Sequence, residues 1–221
     1  MARVFIIGDI HGCCKTFKKL VIEEIDLKKS DKIYCLGDYI DRGPDTKGVI
    51  DFILELRQKG HAIHTLRGNH EQMLLNSAND EHAFLHWTTN GGENTLASFQ
   101  IDGIKKLKPQ YLNFLRRTKF FIETKDFILV HAGLNFTLEN PLADKDAMLW
   151  IRNFTVDKDY LKAKLLIHGH TPMRRAHILS QPLESPINLD GGCVYKNKTE
   201  YGSLFALNFY EKKLLEVKNV D

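Results

Sequence analysis

Five short segments of this chain concentrate acids, amides and imidazoles: Gly8-Asp9-Ile10-His11-Gly12, Gly37-Asp38-Tyr39-Ile40-Asp41-Arg42-Gly43, Gly68-Asn69-His70-Glu71, Val130-His131-Ala132-Gly133 and Gly169-His170-Thr171-Pro172. Side chains of these types bind divalent cations, and there are enough of them here for two ions. Asp9 and His11 are one residue apart, so along an extended segment they point the same way and can share one ion. Asp38 has two carboxylate oxygens and can bridge to a second ion, which Asn69, His131 and His170 complete from three other segments. Oxygen and imidazole donors without thiolate suit Mn, Fe, Zn or Mg rather than copper or an iron–sulfur cluster.

Two divalent cations outweigh the charge of the two ligand aspartates, so the expected centre attracts an anion such as phosphate. Paired metals about 3.5–4 Å apart can acidify a bridging water near neutral pH and neutralise charge on transferring oxygens. Direct attack on phosphorus is the expected chemistry. His70, next to Asn69, is read as the general acid, because an alkoxide leaves poorly until it is protonated. Asp41 can accept the other ring N–H of His70 and favour its charged form. Arg42 offers a planar fork of donors to phosphoryl oxygens, and Arg152, just after Leu149-Trp150, offers a second.

Each segment follows or ends an apolar run rich in β-branched residues, such as Val4-Phe5-Ile6-Ile7 or Ile33-Tyr34-Cys35-Leu36, and so belongs where a strand gives way to a loop. Loops at the carboxyl ends of strands are where α/β proteins place their sites. Phe17, Leu20, Val21 and Ile25 recur at helical spacing, as do Val49, Ile50, Ile53 and Leu54. With a third strand over Ala62 to Leu66, the chain opens as strand, helix, strand, helix, strand, with parallel strands. The stretch from about Glu71 to Arg117 is polar and helical in pattern, with an interruption at Gly91-Gly92 and an expected helix break at Pro109. It is expected to cap the site. From Lys119 onward Phe120 to Glu123, Phe127 to Val130, Leu165 to His168, Ile187 to Leu189 and Ser203 to Tyr210 read as strands of a second sheet.

The 221 residues, 43% of them hydrophobic, suffice for one core, and no linker-like stretch divides them, so a single domain over 1–221 is expected, with the cap-like segment at about 72–118. Basic and acidic residues number 31 and 28, too nearly balanced to argue for nucleic acid. The first residues hold no apolar stretch long enough for a secretory segment or a span, and a cytoplasmic location with no membrane partner is expected. Cys13, Cys14, Cys35 and Cys193 form no C-x-x-C pair and read as reduced and structural. Six residues separate Cys35 from Arg42, one more than a cysteine-phosphatase loop needs. His61, His64, His82, His86 and His177 read as surface or satisfied residues, and His168 as support for the site.

These motifs resemble those of the calcineurin-like metallophosphoesterases, and within them the phosphoprotein phosphatase branch, whose signatures are Gly-Asp-x-His-Gly, Gly-Asp-x-x-Asp-Arg-Gly and Gly-Asn-His-Glu. The resemblance runs from Gly8 to about Gly192. His86-Trp87 followed by Asn90-Gly91-Gly92 is similar to compact bacterial and phage-type members. The resemblance implies a four-layer α/β/β/α sandwich, with the dinuclear centre between two mixed sheets and manganese as the usual ion. It implies that Asp9, His11 and Asp38 hold the first metal and Asp38, Asn69, His131 and His170 the second. It also implies that His70, Asp41, Arg42 and Arg152 are the acid, its orienter and the phosphate clamps. The expected substrate is a phosphoserine or phosphothreonine protein or peptide. The alternative is a symmetrical dinucleoside tetraphosphate hydrolase, from whose pattern Asp41-Arg42-Gly43 and Glu71 depart. A non-catalytic binding module is disfavoured because no ligand is missing, and a nuclease because no basic, aromatic-interleaved stretch is present.

Overall fold

The computed structural model describes residues 2–221. Its first half alternates strands and helices: β1 (Val4–Ile7), α1 (Cys14–Lys19, continued by a wider turn over Leu20–Glu24), β2 (Lys32–Cys35), α2 (Thr46–Gln58) and β3 (Ala62–Thr65). Asp45 starts α2 as its N-cap, accepting a hydrogen bond from the Gly48 amide at 2.8 Å. A helical stretch follows with α3 (Asn69–Asn76), α4 (Glu81–Trp87), α5 (Glu93–Phe99) and α6 (Pro109–Arg116). The rest comprises β4 (Phe121–Glu123), β5 (Phe127–Val130), α7 (Lys145–Trp150), α8 (Lys158–Leu161), β6 (Leu165–His168), α9 (Arg175–Ser180), β7 (Ile187–Asn188), β8 (Ser203–Asn208) and β9 (Lys213–Lys218).

The strands form two mixed sheets, in the orders β3-β2-β1-β8-β9 and β4-β5-β6-β7. In the first, β1, β2 and β3 run parallel and β8 returns antiparallel beside β1; in the second, β5, β6 and β7 run parallel. Side-chain alternation divides each strand between two cores. Val4 and Ile6 of β1, Tyr34 of β2, and Phe127 and Leu129 of β5 fill the space between the sheets. Phe5 and Ile7, Ile33 and Cys35 face the layer of α1 and α2, while Ile128 and Val130 pack with Met148 and Leu161 of the outer helices α7 and α8. The result is the expected α/β/β/α sandwich. Sheets buried on both faces read in sequence as nearly continuous apolar runs.

Three expectations are corrected. Ser203–Asn208 belongs to the first sheet, not the second, pairing Ile7 with Ala206. It is buried throughout, so its residue pattern carries no mark of which sheet it joins. β9 follows it as an edge strand whose charged residues, Lys213, Glu216 and Lys218, obscured it in the sequence. Pro109 starts a helix rather than breaking one, because a proline in the first turn gives up an N–H that has no intrahelical acceptor there. No helix of the described residues is long and apolar enough to cross a membrane.

The helix layer is anchored by Phe17, fully buried and edge-on to Phe52 at a centroid distance of 5.4 Å. Phe17→Ala should cost about 3–5 kcal/mol of stability, read as a lower urea midpoint with unchanged slope.

Candidate metal centre and active site

The parallel strands of both sheets release their loops into one cleft. Asp9 follows β1, Asp38 follows β2, Asn69 opens α3 after β3, His131 follows β5 and His170 follows β6. Cross-loop distances show the convergence. Asn69 Oδ1 lies 3.0 Å from both His131 Nε2 and His170 Nδ1, and Asp9 Oδ2 accepts the His170 amide at 3.1 Å. The two oxygens of Asp38 face different imidazoles, Oδ2 at 3.4 Å from His11 Nε2 and Oδ1 at 3.6 Å from His131 Nε2. The six residues predicted as ligands therefore meet in one place, all nearly inaccessible to solvent.

Several observations fit this cluster to cations. His11 and His131 turn Nδ1 to backbone carbonyls, of Ile40 at 2.9 Å and of Leu36 at 3.0 Å, which leaves Nε2 aimed inward. Asp9 Oδ1 and His170 Nε2 are buried without a hydrogen-bond partner. Burial depresses the pKa of His11, His131 and His170, the last to about 3, which favours the neutral ligand form. Asp9 is pushed well up by burial and by the charges of Asp190 and Asp38, a cost that a cation would relieve.

The chain approaches itself closely here. A Cβ on Gly68 would lie 2.0 Å from Asp38 Oδ1, and one on Gly169 would lie 2.1 Å from Asp9 Oδ1. His11, Asp38, Asp41, Arg42 and His170 all adopt positive φ, between 44° and 70°. Such backbone is unfavourable for these residues and persists only where its surroundings enforce it.

Beside the ligands lies His70, whose Nδ1 is 2.7 Å from Asp41 Oδ2. Asp41 is fully buried and also accepts from Trp87 Nε1 at 2.9 Å and Thr95 Oγ1 at 2.6 Å. Burial alone would lower the His70 pKa, but the charge of Asp38 and the contact with Asp41 outweigh it and raise the value. Arg42 reaches across the centre, Nη1 donating to His11 Nε2 at 2.8 Å, whereas Arg152 is exposed at the edge, 3.5 Å from Thr171 Oγ1.

These features decide the family. The chain belongs to the calcineurin-like phosphoesterases, whose family model matches residues 2–212. It is a hydrolase of the metallophosphoesterase type, with residues placed to hold divalent metal ions. It is 25% identical to the asymmetrical bis(5'-nucleosyl)-tetraphosphatase PrpE of Oceanobacillus iheyensis, with 97% of this chain and 92% of that protein covered. It is 27% identical to serine/threonine-protein phosphatase 1 of Salmonella typhimurium, covering 78% and 80% of the two chains. A solved structure provisionally described as a diadenosine tetraphosphatase superposes with a TM-score of 0.69 at 22% identity, over all of this chain and 95% of the other.

The structure also gives a task to Glu71, which the motifs contain without a role, and brings in Asp190, Trp87 and Thr95. Glu71, fully buried, accepts from the amides of Asp38, Tyr39 and Gly68 at 2.9, 2.8 and 2.8 Å. Its position three residues after Gly68, the N-cap of α3, lets the carboxylate reach back to the N-cap amide, a spacing that sequence reading can catch. Asp190, after β7, is buried near Asp9 and raised to about 7 by burial, and Glu71 is raised to about 8 by burial and Asp38. Buried acids beyond the two ligand aspartates thus stand in the centre, and their raised pKa values keep them from cancelling the surplus positive charge in full. Asp190 stands at a strand's carboxyl end before Gly191-Gly192, the same context as Asp9 and Asp38. Trp87 and Thr95 come from distant helices, and no local pattern marks them as partners of Asp41. His168 is buried, Nδ1 at 3.2 Å from the Gly169 carbonyl oxygen, while His82, His86 and His177 are exposed.

Asp38 faces imidazoles of both expected ligand groups, whereas Asp9 is expected to serve only one. Calorimetric titration with Mn2+ should therefore give about one ion per chain for Asp9→Asn, and weakened binding at both positions for Asp38→Ala. Two tightly bound ions in Asp38→Ala would rule out a shared ligand.

Proposed function

We propose that this chain removes phosphate from phosphoserine and phosphothreonine in polypeptides. The observation that carries the reading is the buried His70–Asp41 pair, whose geometry suits a general acid. Proton delivery matters most for an alkoxide leaving group such as a serine or threonine side chain. It matters little when the leaving group is a phosphate of a phosphoanhydride, already a weak base.

Asp9, His11 and Asp38 would hold one divalent ion and Asp38, Asn69, His131 and His170 the other, with Mn the expected ion and Fe, Zn or Mg compatible with the same donors. When bound, such a pair supplies Lewis acidity that lowers the pKa of the attacking water and neutralises charge on the phosphoryl oxygens. The chain's own residues do the rest. Asp41 fixes the ring of His70 and keeps Nδ1 protonated, leaving Nε2 to give its proton to the departing oxygen. Trp87 and Thr95 hold Asp41 in place from behind, with two donated hydrogen bonds. Arg42 and Arg152 supply guanidinium groups for the phosphoryl oxygens from two sides of the cleft.

A second reading, hydrolysis of dinucleoside tetraphosphates, is favoured by the name of the relative that spans nearly the whole chain. That relative is of the asymmetrical type, so this reading need not take the symmetrical form. Manganese-dependent phosphate release from phosphoserine and phosphothreonine peptides, run beside cleavage of diadenosine tetraphosphate, separates the two. Peptide turnover with the dinucleotide untouched is the expected outcome, and the reverse would transfer the function to nucleotides.

Two variants test the acid. His70→Asn should lose about 10²–10⁴-fold on an alkyl phosphate and much less on an aryl phosphate; equal losses would remove His70 from proton transfer. The raised His70 pKa means that activity on alkyl esters depends on an imidazolium and falls as pH rises through that value. Asp41→Asn takes away one of the charges that raise it, so the alkaline limb of kcat should move to lower pH.

A further inference from the structure

Arg152 stands at the end of an open groove of about 990 Å³ that begins beside the metal centre, at Thr171 and His168, and runs outward. One wall is formed by seven consecutive residues, Ile151 to Asp157. Side chains of an extended segment point alternately to opposite sides, so an uninterrupted run along a wall means that the main chain itself lines the groove. Among the described residues, no N–H or C=O of residues 152–156 makes a hydrogen bond to protein, in a stretch without helix or strand. In an open groove such main-chain groups are accessible and free to pair with the main chain of a ligand lying alongside. The facing wall is mixed, with Phe136, Met173 and Pro186 set among amides and hydroxyls such as Asn135, Thr137 and Asn188, and the groove's charged side chains are Arg152 and Asp157.

We infer that this groove binds the substrate polypeptide in extended form, the segment flanking the phosphorylated residue pairing with the main chain of residues 152–156. The inference deepens the protein-phosphatase reading and rests on it. Strand-like addition takes its affinity from backbone hydrogen bonds common to all sequences, and its selectivity from alternate side chains. Phosphate held near Arg152 would start the peptide at the inner end of the groove. The wall chemistry then selects apolar flanking residues, because Phe154 and Val156 are half-buried between the exposed Asn153, Thr155 and Asp157.

The test compares kcat/KM for N-acetyl-phosphoserine amide with that for nonapeptides carrying phosphoserine centrally between apolar residues. One nonapeptide is unmodified and the other is N-methylated at alternate flanking amides. The enzymes are the native protein and Thr155→Trp, which fills the groove at an exposed position outside the catalytic machinery; p-nitrophenyl phosphate reports the basal activity of both. The expected result is a gain of at least about ten-fold from amide to nonapeptide, as a few added contacts supply. N-methylation and Thr155→Trp should each abolish that gain, while p-nitrophenyl phosphate turnover stays unchanged. Equal kcat/KM for amide and nonapeptide, or a gain indifferent to both changes, overturns the groove assignment and leaves the phosphatase reading standing. Turnover of p-nitrophenyl phosphate without turnover of any phosphoserine compound overturns the phosphatase reading and the groove with it. Selective loss of diadenosine tetraphosphate cleavage in Thr155→Trp would give the groove to a nucleotide instead.

Discussion

Asp38 ties together nearly every loop of the candidate site. Its carbonyl oxygen accepts the amides of Ile10 and His11, at 3.1 and 2.7 Å, so the first loop is held by the second. Its amide donates to Glu71, and its Oδ1 accepts the amide of His70, so the third loop is held as well. Its carboxylate then faces His131, which comes from the other sheet. One residue in left-handed backbone thereby sets the spacing between loops of two sheets. Gly68 must be glycine because it passes within contact of this same side chain.

Placing acids in such a cleft is costly, and the surroundings answer that cost in two ways. Glu71 accepts three backbone N–H groups and so organises the loops without being aimed at substrate. Asp9 and Asp190 have fewer compensating donors and are the acids for which a nearby cation would matter most. On the other side of the cleft Asp41 is compensated by indole, hydroxyl and imidazole donors. Its carboxylate can therefore hold the ring of His70 in a single orientation.

The helical stretch that follows β3 supports the active-site loop from its outer side. Trp87 and Thr95 reach Asp41, Gly91 accepts the Arg42 amide at 3.1 Å, and Asn94 donates to the Arg42 carbonyl oxygen at 2.6 Å. Arg42 and Asp41 keep their positive φ because these contacts hold the loop on its outer side. The break at Gly91-Gly92, legible in the sequence as an interruption, is the bend that lets two helices serve one loop.

The chain's own sequence determined the strands that carry the site and the residue types at their ends. Apolar runs long enough to be buried on two faces can be little else, and acids and imidazoles next to them have few roles that tolerate burial. Tertiary structure decided what those local rules leave open. β8 joined the first sheet because pairing partners lie far apart in sequence, and a fully buried strand looks the same in either sheet. Asp190, Trp87 and Thr95 entered the site because burial removes water and forces each polar group to find a partner wherever the fold supplies one. The groove beside Arg152 arose likewise from the meeting of loops after β5, β6 and α7, segments whose individual sequences say nothing of the space between them.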